Sequence, residues 1–227
     1  MTKQQPTKAT PKAFHVYIDF DRTLFDTPRF GSDLRHGIAM HANITPEQAR
    51  ADAAPFYTHA RLRSFDFEGY VATYGLNPDE MLEYVRQLAQ ANNYLYPGSA
   101  QFMQSLQASG LNPKILSFGE DRFQRAKILP TLPYLFGDVD SQTPATNTIC
   151  EVYVTLEPKG PHIAHKHPGE QGILVDDVPE QNLPAGFSEI HLDRNSNLRN
   201  PEPKVSGFTV SDLKQAYEVI TQLATGT

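Results

Sequence analysis

The sequence predicts an α/β layered fold, a mostly parallel sheet flanked by helices, with an all-helical segment inserted into it. Three observations carry that prediction. Short apolar runs recur along the chain: FHVYIDF (14–20), KILSF (114–118), EVYVTL (151–156), GILVDD (172–177) and SEIHLD (188–193). Stretches with helical spacing lie between them, the pattern of strand–helix–strand crossovers. Positions 21–113 separate the first two runs, far more than one crossover helix needs.

The elements follow in order. Residues 1–12, MTKQQPTKATPK, are polar and contain proline, and read as a disordered tail. The core is expected at 13–27 and 96–227, and the helical insertion at 28–95. FHVYIDF, KILSF and GILVDD lack clean alternation, as expected of parallel strands buried on both faces. Four helical stretches fill the insertion: FGSDLRHGIAMHA, TPEQARADAAPFYTHARL, DFEGYVATYG and NPDEMLEYVRQLAQANN. Thr45-Pro46 and Asn77-Pro78 read as N-cap and first-turn pairs. Tyr96-Pro97-Gly98 marks the return to the core. SAQFMQSLQASG is the next helix, with Gly110 closing it, and DRFQRAKILPTL follows, with Pro130 as its expected end. GDVDSQTPATNT (137–148) is turn-rich and reads as a loop. TVSDLKQAYEVITQLA is the last helix, capped by Thr209 or Ser211.

Composition narrows the class. The 227 residues suffice for one domain carrying an insertion, and 39% hydrophobic content with 13 Phe and 10 Tyr supplies a core. The net charge of −6 and the absence of a basic block argue against general binding to nucleic acid or an anionic membrane. An anionic substrate would have to be attracted by the site itself. Cys150 is the only cysteine, so no internal disulfide forms. No apolar run reaches the length of a membrane span and no signal-peptide core is visible, so a soluble, cytosolic protein is expected, as a monomer or small homo-oligomer.

The first run ends on Asp19 and Asp21, two apart and expected on one side of the strand. Like charges so close raise at least one pKa, so a cation, a shared proton or chemistry must compensate. In an open parallel sheet, ligands sit beyond the carboxyl ends of the strands. Ser117 stands at the second such end, Lys159 in LEPKGPH follows the third, and Asp176 and Asp177 close the fourth. Oxygen donors in excess of lysine suit Mg²⁺.

These residues resemble four ordered motifs of the haloacid dehalogenase superfamily of phosphohydrolases. DFDRT (19–23) is similar to the D-x-D-x-[TV] motif, Ser117 in ILSFG to the second motif, Lys159 to the third and VDD (175–177) to the fourth. The likeness spans roughly 13–224, and the helical insertion falls where that family carries its C1-type cap. The resemblance implies a Rossmann-like core and a Mg²⁺-dependent phosphatase acting on a small phosphorylated metabolite. It implies Asp19 as nucleophile and Asp21 as general acid and base. Ser117, with Phe118 and Gly119 beside it, and Lys159 would bind the phosphate. Asp19, the Asp21 carbonyl and one or both of Asp176 and Asp177 would hold the metal. The position after the second aspartate is often Gly in the family and is Arg22 here.

The same residues admit competing readings. Lys127 and Lys166 are alternatives to Lys159, which is preferred because it opens a helix one strand before VDD. His162, His165 and His167 in HIAHKH suggest metal ligands, but a solvated segment is the preferred reading. Arg29, Arg35, Arg61 and Arg63 read as solvated helix charges, with one or two in reach of a substrate. The functional alternatives are a phosphotransferase or phosphomutase on the same scaffold, a non-catalytic binding or regulatory protein, and a receiver-type signalling domain.

Overall fold

The computed structural model describes residues 14–57, 64–137, 150–179, 182–195, 202–204 and 207–226. All five apolar runs form strands: β1 Phe14–Ile18, β2 Pro113–Phe118, β3 Val152–Thr155, β4 Gln171–Asp176 and β5 Phe187–Leu192. Two short strands follow, β6 Glu202–Lys204 and β7 Gly207–Val210. The sheet order is β3-β2-β1-β4-β5-β7-β6, parallel throughout except that β6 runs antiparallel to β7 at the edge. Ile18 of β1 pairs with Ile115 on one side and Val175 on the other, so the carboxyl ends of β1, β2 and β4 share one edge.

The strands are apolar on both faces because both are covered. Val16, Ile18, Ile115, Ile173 and Val175 face a large core shared with helices α5 (Ser99–Ala108), α6 (Asp121–Phe136) and α8 (Leu213–Thr225). Tyr17, Leu116 and Leu174 face a smaller cluster with Ile163 of α7 (Lys159–Lys166). Each such side chain, fully buried, contributes on the order of 1.5–3 kcal/mol.

Between β1 and α5 run α1 Thr27–Ala42, α2 Pro46–Asp52, a 3₁₀ turn Ala54–Phe56, α3 Phe67–Ala72 and α4 Pro78–Ala91. The Thr45 side chain caps α2 by accepting from the Gln48 amide at 3.1 Å, and Asn77 caps α4 through the Asp79 amide at 2.9 Å. The segment leaves and rejoins the core through a narrow neck. Phe25 bridges antiparallel to Leu95, the Asp26 amide donates to the Tyr94 carbonyl at 2.7 Å, and the Tyr96 amide donates to Leu24 at 2.9 Å. Beyond the neck the helices are not isolated: Phe30, Leu34, Tyr70, Leu82 and Val85 belong to the same continuous core as β1. Arg122, at the start of α6, pairs with Glu68 of α3 at 2.9 Å and with Asp79 of α4.

Two local expectations are corrected. Pro130 does not end its helix; α6 continues to Phe136 with Pro130 and Pro133 inside it. An internal proline costs about 3 kcal/mol, and the buried residues Ile128, Thr131, Leu132 and Leu135 offset it. Thr131 Oγ1 also donates to the Lys127 carbonyl at 2.7 Å. The last helix is capped by neither Thr209 nor Ser211. Thr209 lies in β7 opposite His191, and the Asp212 side chain accepts from the Gln215 amide at 2.9 Å instead. Gly110 closes α5 as expected: it follows the cap Ser109 at φ 75°, and its amide donates to the Gln107 carbonyl at 2.9 Å. The tail 1–12, the loop 138–148, Arg61 and Arg63 lie outside the described residues. Among the described residues no helix is long and apolar enough to cross a membrane.

Candidate active site

The expectation that Asp19 and Asp21 project from one side of a strand is corrected: β1 ends at Ile18, before either of them. Asp19 continues the ladder through its amide, which donates to the Val175 carbonyl at 2.9 Å. The chain then turns: the Leu24 and Phe25 amides both donate to the Phe20 carbonyl at 3.0 Å, and Asp21 bridges to Phe25. The carboxylates therefore diverge to two lysines on opposite sides of the sheet. Lys159 Nζ donates to Asp19 Oδ1 at 2.5 Å and to Asp176 Oδ2 at 2.6 Å. Lys127 Nζ, from α6, donates to both Asp21 oxygens at 2.7 and 2.8 Å, and Thr27 Oγ1 donates to Oδ1 at 2.7 Å.

Electrostatics separate the two acids. Burial pushes Asp19 well above the usual carboxylate range; the Lys159 ammonium opposes this, while Asp176 and Asp177 add to it. Burial also acts to raise Asp21, but Lys127, helped by Thr27 and Gln124, outweighs it and holds the carboxyl below its usual value. Asp177 is raised to about 6, chiefly by burial and then by Asp176. Burial works against the Lys159 charge, yet Asp176 and Asp19 together keep it above the ordinary lysine value. Asp19, Asp176 and Asp177 each offer an oxygen, and these atoms lie within 4.8 Å of one another. Three carboxylates around one ammonium leave an excess of negative charge that a divalent cation would neutralise. All three are hard oxygen donors, so the residues fit Mg²⁺.

The other predicted residues are less uniform. Asp176 is fixed by the Val178 amide, which donates to its Oδ1 at 3.0 Å. Ser117 is fully buried in β2, and its hydroxyl has no hydrogen-bond partner among the described residues. Phe118 lines the cleft, and its carbonyl accepts from Gln124 Nε2 at 3.0 Å. The Gly119 amide already donates to Thr155 at 2.9 Å, so it is engaged in the sheet edge. Glycine is required there: φ is 144°, and a Cβ would stand 2.6 Å from Gln124 Nε2. Arg22 has φ 63°, which explains why glycine suits that position.

Lys127, an alternative to Lys159 on sequence, takes a different place, on Asp21 rather than Asp19, and Thr27 and Gln124 join it without a sequence signal. Phe123, Lys127 and Thr131 share the buried side of α6, but polar and apolar residues mix around that helix, so the sequence carries no amphipathic stripe to mark the lysine. Arg194, after β5, also carries no sequence signal. It donates to the Thr23 carbonyl at 2.6 Å and lies 4.1 Å over the Tyr96 ring, bracing the turn after β1. In HIAHKH, His162 and His165 stand 3.4 and 3.8 Å from Glu157, away from the acid cluster, and His167 turns elsewhere.

A cleft of about 1330 Å³ opens over the carboxylates. Its floor holds Asp19, Asp21, Lys127, Lys159, Asp176 and Asp177. Its opposite wall holds Leu34, Ile38, Tyr70, Arg35 and Arg50 from the inserted helices and the bridged pair Tyr57 and Phe65. Arg29 is instead bound to the Asn93 carbonyl at 3.1 Å and stacked on Tyr94.

Solved structures match this architecture over nearly its whole length. A haloacid dehalogenase-like hydrolase from Burkholderia xenovorans superposes with TM-score 0.63 at 17% identity, covering 94% of this chain and 99% of the other. The chain has the haloacid dehalogenase-like fold. The HAD-hydrolase YfnB of Bacillus subtilis, solved bound to magnesium, gives 0.56 at 12% identity, over 92% of this chain and 99% of its own. A HAD phosphatase from Thermococcus onnurineus gives 0.56 at 14%, over 91% and 97%. No family model and no curated protein matches the sequence. In this HAD-like fold the acid cluster lies where the strand order reverses around β1, the usual binding edge of an open α/β sheet.

Proposed function

We propose that the chain belongs to the haloacid dehalogenase superfamily and is a Mg²⁺-dependent phosphatase, hydrolysing a small phosphorylated metabolite in the cytosol through an aspartyl-phosphate. The observation that carries this reading is the separation of the two acids. Asp19 is tied through one oxygen to Lys159 inside a cluster that needs a cation, and Asp21 is held apart by Lys127.

Lys159 engages Asp19 Oδ1, which leaves Oδ2 to attack phosphorus. As the new O–P bond forms, the bond to the leaving oxygen breaks and that oxygen takes a proton from Asp21. Asp21 begins ionised beside Lys127. The incoming phosphate, with about −1.5 to −2 charges, raises its pKa, so that as the ester binds Asp21 takes up from solvent the proton it then delivers. Asp21 then takes a proton from the water that cleaves the acyl phosphate. Bound at Asp19, Asp176, Asp177 and the Asp21 carbonyl, Mg²⁺ would supply charge stabilisation for the transferring phosphoryl group. Lys159 neutralises the nucleophile, and Ser117 offers an unpaired buried hydroxyl at the β2 end.

Residues 28–95 serve as a cap over the cleft. Its apolar wall with Arg35 and Arg50 suits a phosphomonoester that has an apolar portion and a further anionic group. Steady-state phosphate release from an aryl phosphate tests the assignment. Activity is expected with Mg²⁺ and is abolished by EDTA. Equal turnover by the metal-free protein would overturn it.

A further inference from the structure

At the opposite end of β1 from the acids stands a second convergent group. His15, Tyr17 and Asp19 alternate onto the strand face that α7 covers. Lys159 at the start of α7 meets Asp19, and His167 at its end meets Tyr17 and His15. His15 and Asp19 are four residues apart, about 13 Å along a strand, so the two groups are separate sites.

His15 Nε2 and His167 Nδ1 both approach one oxygen, Glu170 Oε2, the second at 3.0 Å. The three donor atoms lie within 4.8 Å of one another. The two imidazoles stack with centroids 3.8 Å apart and planes 27° apart, so each ring holds the other in place beside Glu170. The group sits on fixed backbone. His15 pairs with Gly172 in the β1–β4 ladder, the His167 amide donates to Ile163 at 2.9 Å, and the Glu170 amide donates to His167 at 3.2 Å. Both histidine side chains are only 13% exposed, whereas Glu170 is 40% exposed, so a small ion has a path in and room for a solvent ligand.

We infer that His15, His167 and Glu170 form a binding site for a zinc-class cation, remote from the catalytic cleft. Two imidazole nitrogens and one carboxylate with an open fourth position are a donor set that Zn²⁺ accepts and Mg²⁺ does not favour. Tyr17 is the outer partner. Its hydroxyl lies 2.6 Å from His167 Nε2, the nitrogen facing away from the cluster. When Nδ1 gives its lone pair to a metal, Nε2 carries the proton and donates to Tyr17. Without metal, the phenol donates to Nε2. A hydroxyl serves both roles, so the tautomer change costs no hydrogen bond. Lys114, 5.9 Å from the Tyr17 ring, is paired with Glu151 at 3.1 Å, so its charge is already matched.

The test uses the full chain stripped with a chelator, then titrated with Zn²⁺ against a chromophoric competitor in millimolar Mg²⁺, which keeps the acid cluster occupied. One equivalent is expected with a dissociation constant below about 10 µM. Co²⁺ in the same position is expected to give visible absorption bands of a nitrogen-ligated ion. His15→Ala and His167→Ala should each lose at least about a hundredfold in affinity, and Tyr17→Phe about 10–100-fold, the usual worth of an outer partner. Glu170→Gln, at a partly exposed position, preserves the fold and should lose at least about tenfold. A wild-type constant above about 10 µM overturns the site. So does a Zn²⁺ affinity unchanged in the Glu170 and His15 variants, which would assign the ion to other ligands.

Discussion

Lys127 Nζ contacts both carboxylate oxygens of Asp21, at 2.7 and 2.8 Å, across 106 positions of sequence. The lysine is fully enclosed and the aspartate is about a quarter exposed, so the pair is screened from water on one side only. Because Asp21 titrates below its unfolded value, it contributes stability above the unfolded pKa of about 4, lost as pH falls through the folded pKa.

Lys127→Met should reverse that contribution. Without the ammonium, burial dominates and the Asp21 pKa rises above its unfolded value. The variant should then be destabilised at pH 8 by about 1–3 kcal/mol, less than a fully buried orphan charge because Asp21 is partly wet. At pH 4 the loss should be smaller, since a protonated Asp21 needs no cation. Urea unfolding at both pH values measures it. An equal loss at each pH would assign Lys127 to packing alone.

Arg22 occupies the left-handed region at φ 63°, with its amide donating to Phe25 at 2.8 Å. A non-glycine residue there costs roughly 1–2 kcal/mol, and glycine returns about 0.5–1 kcal/mol of that as unfolded-state entropy. Arg22→Gly should therefore be stabilised by about 0.5 kcal/mol, a rise of about 1–2 °C in Tm for a chain this long. Calorimetry decides it. A fall in Tm would mean that the arginine stabilises the fold through the Asp177 carboxylate it faces.

The strands were legible because a parallel strand buried on both faces is a run of apolar residues, and such runs in this chain end on chemistry. Asp19, Lys159 and Asp176 meet as their places at strand and helix ends imply. What was not legible depends on distant partners. Lys127 looks like any helix lysine until Asp21 is folded against it, and His15 and His167 come from opposite ends of the core. β6 and β7 are too short for periodicity to reveal, and GFTV blends into the helix that follows. Pro130 misled because a local rule about backbone donors was outweighed by the buried face of α6.

Cys150 tests the closure of the β2 edge. Its thiol is buried, stands 3.2 Å from the Pro113 carbonyl, and is pushed up to about 12, mainly by burial. At pH 8 only about one thiol in 10⁴ is then a thiolate, and that fraction rises tenfold per pH unit until pH 12. A disulfide reagent should leave the native protein unlabelled at pH 8 and label it stoichiometrically in urea. Fast native labelling would show that the β2–β3 edge opens readily.

The division of labour between Asp19 and Asp21 gives the sharpest outcome. Asp19→Asn removes the nucleophile, since an amide oxygen attacks poorly, and should leave no phosphoenzyme and no turnover. Asp21→Asn keeps Asp19 tied to Lys159 and able to attack an aryl phosphate with a good leaving group. What it lacks is the base for water, worth about 10²–10⁴ in rate. The second step slows more than the first, so the adduct accumulates on Asp19 as an acid-stable, hydroxylamine-sensitive mass increment. The rate should also depend more steeply on leaving-group pKa, because nothing protonates the departing oxygen. The amide also leaves Lys127 without its anion, so some loss of stability accompanies the trap and is checked by unfolding. If neither variant traps an adduct and both turn over at the wild-type rate, Asp19 is not the nucleophile and the aspartyl-phosphate route is excluded.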